Sequence, residues 1–99
     1  MTDPCYCWEV YLRAANALAL GMGEIKERLL GAAMEISTLD SRALPDQFQE
    51  EHERLLRALS IRGTIRNTVA TMRKDKAKSL AERITNMESQ LCEICHEHS

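Results

Sequence analysis

Cysteine and histidine side chains lie near both termini of this 99-residue chain. Cys5 and Cys7 follow the first residues, and Cys92, Cys95 and His98 precede the last. Two thiolates in a Cys-x-x-Cys spacing can bind one tetrahedral zinc ion. The sequence therefore predicts, as one alternative, a zinc site. Its ligands would be Cys5 and Cys7 with Cys92 and Cys95, or Cys92, Cys95 and His98 with a second chain.

A competing interpretation treats the last two cysteines as small apolar residues of a helix. Cys92 and Cys95 directly follow Leu91 and Ile94, which continue a helical spacing of apolar residues. We favour this interpretation and expect no cofactor. No basic leader opens the chain, and its most apolar stretch, 14–22, is too short to span a membrane. We therefore expect a cytoplasmic protein with reduced thiols.

Charged residues are segregated along the chain. The net charge is −6 over residues 1–53, +7 over 54–83 and −3 over 84–99. The basic block contains Arg62, Arg66, Arg73, Lys74, Lys76 and Lys78. These cations could follow a phosphate backbone, but the isoelectric point is near 5.9 and no aromatic residue interrupts the block. We favour a solvated face that pairs with the acidic first half.

No constellation of residues predicts catalysis. His52 is not part of a His-Glu-x-x-His motif because Leu56 occupies the fourth position after it. No nucleophile–base set or glycine-rich phosphate loop can be placed, so we expect a non-enzyme. Tyr6, Trp8 and Tyr11 form an aromatic cluster that packs in the core or anchors a protein interface.

The elements that position these residues follow from an apolar stripe of three-four spacing. It contains Trp8, Tyr11, Ala15, Leu18, Met22, Ile25, Leu29, Ala32, Ile36 and Leu39. Such a stripe predicts one face of a helix packed against another helix. Glycines in a helix interior each cost roughly 1 kcal/mol relative to alanine. If the helix breaks, we expect the break at Gly21 and Gly23. The stripe keeps its phase there, and we favour one helix over residues 4–38.

The rest of the chain is expected to form a connection at 39–45, a helix at 46–62 and a helix at 64–96. The last helix has a possible break near 73–79, where large apolar residues are missing. Leu80, Ile84, Met87 and Leu91 then form a second apolar seam. In a long helical hairpin this seam would lie beyond the end of its mate. We therefore predict that it pairs with a second copy and forms a homodimer.

The predicted class is all-α, with coiled-coil-like packing in one of two arrangements. One is a long antiparallel helical hairpin, and the other is a small helical bundle broken at Gly21–Gly23 and Gly63. Over residues 25–72, the helix, Leu44-Pro45 turn and second helix resemble small bacterial anti-activators that sequester quorum-sensing transcription factors as helical dimers. Small phage inhibitors are comparable in size and composition.

The functional prediction is a homodimeric regulatory or inhibitory module that binds and blocks an unidentified protein. Its candidate partner-binding residues are Tyr6, Trp8, Tyr11, Leu80, Ile84, Met87 and Leu91. The alternative is a zinc-stabilised structural or nucleic-acid-binding module that uses the terminal cysteines and the basic block.

Overall fold

Residues 3–97 form five α-helices and no strand in the computed structural model, which describes that part of the chain. The helices are α1 (Pro4–Leu20), α2 (Ile25–Ile36), α3 (Asp46–Leu59), α4 (Ile65–Thr71) and α5 (Lys74–Glu97), and a 3₁₀ turn covers Ser41–Ala43. The predicted all-α class is confirmed. None of these helices is long and apolar enough to cross a membrane.

The predicted single helix over residues 4–38 is wrong, because the chain turns back between α1 and α2. At Gly21 the backbone becomes extended, and a Cβ there would collide with the carbonyl oxygen of Ala17. Gly23 has a φ of +96°, which favours glycine. Arg28 closes the turn, since its Nη1 donates to the carbonyl of Leu18, 2.9 Å away. The break gives a bundle rather than a two-helix hairpin.

α1 and α5 pack against each other in antiparallel orientation. α1 begins at Asp3, whose carboxylate accepts hydrogen bonds from the backbone N–H groups of Cys5 and Tyr6. The Trp8 indole donates to the Glu88 carboxylate across the pair, with an Nε1–Oε2 distance of 2.7 Å. The break that the sequence predicted near 73–79 occurs at residues 72–73, between α4 and α5. From Lys74 onward α5 is continuous.

The predicted exposed seam of α5 is buried inside the single chain. Leu80, Ile84 and Leu91 have no exposed surface and Met87 has 3%. The physical reason is the turn after α1. A 17-residue α1 leaves α2 free to fold back, so both helices can cover the 24-residue α5. The seam therefore gives no support to the predicted homodimer, which stays a prediction.

α3 is shorter than the predicted helix over 46–62, because it ends at Leu59. Gly63 then adopts a φ of +99°, and the Thr64 side chain caps α4 by accepting from the N–H of Asn67. α3 is tied to α5 by Arg83, whose guanidinium donates two hydrogen bonds to the Glu51 carboxylate at 2.8 and 2.9 Å. This ion pair lowers the pKa of Glu51.

Candidate functional site

Cys5 and Cys95 bring the two ends of the described chain together. They form a disulfide with a Cα–Cα distance of 4.7 Å, which links the start of α1 to the end of α5. The expectation that all four cysteines are reduced is therefore corrected. Antiparallel packing of the first and last helices is the physical reason, and it could not be read from the spacing of either pair alone.

The other two cysteines, Cys7 and Cys92, are free thiols in different surroundings. Cys7 is fully buried, and its thiol donates to the carbonyl of Ala43 at 3.2 Å. Burial raises the pKa of Cys7 to about 11, so it stays protonated at neutral pH. The Sγ of half-buried Cys92 instead lies 3.4 Å from His96 Nδ1.

Of the predicted zinc ligands, Cys5 and Cys95 are bonded to each other in the disulfide, and the thiol of Cys7 is hydrogen-bonded to Ala43. No group of three or more His, Cys, Asp or Glu side chains in residues 3–97 is arranged to hold a metal ion. His98 lies outside the described residues.

The aromatic residues divide between surface and core. Tyr6 is 48% exposed, whereas Tyr11 has no exposed surface. Trp8 is half-buried between Glu88 and His96, with its ring centroid 5.9 Å from that of the imidazole. Of the predicted partner-binding residues, only Tyr6 and part of Trp8 therefore reach the surface of the chain.

Sequence reasoning missed a buried polar network around His52. Its Nδ1 lies 2.6 Å from the Tyr11 hydroxyl and its Nε2 lies 2.8 Å from the carbonyl oxygen of Leu39. Burial lowers the pKa of His52 and raises that of Tyr11, so both groups are held neutral. The i, i+4, i+7 spacing of Phe48, His52 and Leu55 was the signal that could have placed His52 on the inner face.

All six predicted basic-patch residues are exposed and occur together on α4, the turn before it and the start of α5. We call Arg62, Arg66, Arg73, Lys74, Lys76 and Lys78 the cationic end. Lys26 Nζ, near the start of α2, donates to the carbonyl of Ala70 at 2.8 Å. This contact places the cationic end beside the α1–α2 turn. The cationic end is therefore near the C-terminal end of α1, whereas the disulfide is at its N-terminal end.

The cationic end is largely unpaired with carboxylates of residues 3–97. Lys74 Nζ lies 3.9 Å from Glu24, and Arg73 Nε lies 3.5 Å from Asp75. Both pairs are exposed and therefore contribute little stability. The other four cations make no ion pair with the described carboxylates. Of the six residues of the cationic end, only Lys74 makes the predicted pairing with the acidic first half. Elsewhere in the basic block, Arg83 pairs with Glu51 and Arg54 with Glu50.

Comparison of the chain with protein-family models, with curated proteins and with solved structures finds no match.

Proposed function

We propose that this chain is a non-catalytic interaction module that uses its cationic end to bind an acidic surface of a partner protein. The observation that carries the proposal is the exposure of six cations, four of which have no carboxylate partner in residues 3–97. A concentrated positive field speeds the encounter with an acidic partner and orients it. Occupying that surface would block its other ligands, which is how a small regulatory protein can act without chemistry.

The composition of the surface favours a protein partner over a nucleic acid. Ile61, which is 74% exposed, lies beside Arg62 in the turn before α4. The sequence has no aromatic residue after Phe48 that could stack on a base. Exposed apolar side chains among cations are suited to a protein surface that carries both apolar groups and carboxylates.

The buried titratable groups support a binding role rather than catalysis. Cys7, Tyr11 and His52 have shifted pKa values, and all three have no exposed surface. A catalytic group must reach its substrate, directly or through one water. Each of the three is also hydrogen-bonded within the fold: Cys7 to the carbonyl of Ala43, and Tyr11 and His52 to each other. We therefore assign these three groups a structural role and base the proposed function on the surface charges.

Crosslinking in extracts of the native host tests the proposal. The test variant is Arg66→Gln with Lys76→Gln, and the control is Arg42→Gln with Arg54→Gln, which removes the same charge outside the cationic end. We expect a partner recovered by the wild type and the control to fall about tenfold with the test variant, since each lost surface contact costs up to roughly 1 kcal/mol. Equal recovery by both variants, or nuclease-sensitive recovery, would contradict the proposal.

A further inference from the structure

Two grooves flank α4, and their charges differ. One has a volume of about 370 Å³ and lies between α2 and α4. The other has a volume of about 330 Å³ and lies between the α3–α4 turn and the start of α5. We call the second the Ile61 groove; Ala58, Ile61 and Met72 supply apolar surface to it, and Arg62, Arg73 and Lys76 supply charge.

In the groove between α2 and α4, carboxylates offset most of the positive charge. Glu24 and Glu27 line it together with Lys26, Arg66 and Lys74. Lys26 already donates to the carbonyl of Ala70, and Lys74 lies within 3.9 Å of Glu24. No acidic residue lines the Ile61 groove, although Arg73 approaches Asp75 at its edge. An acidic ligand is therefore better matched to the Ile61 groove.

A hydrogen-bonded turn holds the apolar side of this groove. The Thr68 hydroxyl is buried; it accepts from the N–H of Arg62 at 3.0 Å and donates to the carbonyl of Thr64 at 2.7 Å. Gly63 permits the reversal with its φ of +99°. The backbone between Ile61 and Arg62 is thereby held in place, while the Ile61 side chain remains 74% exposed. A preorganised contact of this kind lowers the entropy cost of binding.

We infer that the Ile61 groove binds an acidic segment of a partner protein in which carboxylates flank a large apolar side chain. The apolar side chain packs against Ile61 and Met72, and the carboxylates pair with Arg62, Arg73 and Lys76. The arginines can bind carboxylates through two parallel hydrogen bonds. The volume is at the low end of ligand pockets, which suits one or two side chains. This inference rests on the proposed function and specifies its partner.

Fluorescence anisotropy with labelled peptides of about a dozen residues tests the inference. The first peptide is rich in Glu with central leucines. The second replaces each Leu by Ser, and the third replaces each Glu by Lys. We expect the full-length wild type to bind the first peptide at least tenfold more tightly than either of the others, because the groove recognises both carboxylates and an apolar anchor.

Four single variants locate the binding site. We expect Ile61→Ser to abolish the preference for the leucine peptide and Lys76→Gln to weaken its binding about fivefold. Lys78→Gln, which removes the same charge outside the groove, should weaken it less, and Arg57→Gln on α3 should leave it unchanged. All four residues are exposed, and circular dichroism with thermal melting verifies that each variant folds.

The outcomes separate this inference from the function on which it rests. If Ile61→Ser leaves binding unchanged while Lys76→Gln and Lys78→Gln weaken it equally, the groove is wrong but binding by the cationic end is retained. If the wild type binds the acidic and the lysine peptides equally, the proposed function fails as well. Tighter binding of a duplex DNA than of any peptide would likewise overturn both.

Discussion

The Tyr11 hydroxyl lies 2.6 Å from Nδ1 of His52 in a site from which solvent is excluded. Because His52 Nε2 lies 2.8 Å from the carbonyl of Leu39, the network assigns the proton to Nε2 and makes Nδ1 the acceptor of the tyrosine O–H. α1, α3 and the segment after α2 are therefore joined through one neutral imidazole. Its removal or protonation should be measurable as a loss of stability.

Tyr11→Phe should destabilise the fold without changing its shape. The substitution leaves Nδ1 of His52 buried and unsatisfied, which costs about 1–3 kcal/mol. Urea unfolding followed by circular dichroism measures this change. Tyr6→Phe is the matched control, because Tyr6 is 48% exposed and its substitution should alter the free energy of unfolding by less than about 0.5 kcal/mol. Equal effects of the two substitutions would argue against the network.

Stability should fall as the pH drops below the usual histidine pKa of about 6.5. Burial lowers the pKa of His52 in the folded state, although the Leu39 carbonyl and the carboxylates of Glu53 and Asp40 oppose the shift. The unfolded state therefore binds the proton more readily. The contribution of neutral His52 to the free energy of unfolding is fully present above about pH 6.5. It is lost as the pH falls from there through the lower pKa of the folded state.

Urea unfolding at pH 7.5, 6.5 and 5.5 measures this loss, with His52→Gln as the comparison. The amide retains a donor and an acceptor but does not titrate. We expect the variant to be less stable than the wild type at pH 7.5 and to show a smaller decline between these pH values. A decline as steep as that of the wild type would assign the effect to other groups.

Breaking the Cys5–Cys95 disulfide should destabilise the protein. The crosslink joins residues 90 positions apart, so it restricts nearly the whole unfolded chain. A loss of about 2–4 kcal/mol is expected for Cys5→Ser with Cys95→Ser, measured by urea unfolding of the oxidised wild type and the variant. Cys92→Ser is the control, and a reductant should lower the stability of the wild type and this control alike. Insensitivity to reductant would refute the assignment.

Leu91→Asp should unfold the chain rather than separate two copies. Leu91 is fully buried between helices of one chain, and an isolated carboxylate there has no counter-charge. We expect a loss above about 3 kcal/mol, seen as a large decrease in melting temperature that does not depend on protein concentration. Leu20→Asp, at a position that is 79% exposed, should cost less than about 1 kcal/mol. A dimeric wild type together with a folded, monomeric Leu91→Asp variant would support the homodimer prediction.

Local chemistry allowed much of the secondary structure to be predicted from the sequence. Asp3 and Pro4 mark the start of α1, and Pro45 immediately precedes α3. Most of the apolar stripe is buried, including Tyr11, Leu29 and Ile36. Trp8, Ala15 and Ile25 are half-buried, and Met22 is 90% exposed because it lies in the turn between α1 and α2. Periodicity missed this turn because Leu18 and Ile25 are seven residues apart and remain in phase across it.

The candidate surface was predictable as a set of residues but not as a site. The six cations are evident in the sequence, yet their pairing with the acidic first half was the favoured interpretation. The fold brings Lys74 within ion-pairing distance of Glu24 and leaves the other five without a partner from that half of the chain. Distances between helices that are remote in sequence decide such pairing, and no local pattern contains them.

The sequence by itself determined that this chain is helical, which faces of its helices are apolar and where its charges concentrate, because these properties depend on side-chain type and helical period. Only the tertiary structure decided that α5 packs against α1, that Cys5 meets Cys95 and that His52 meets Tyr11. Each of these contacts joins residues at least 41 positions apart, and their geometry depends on how the glycine turn reverses the chain.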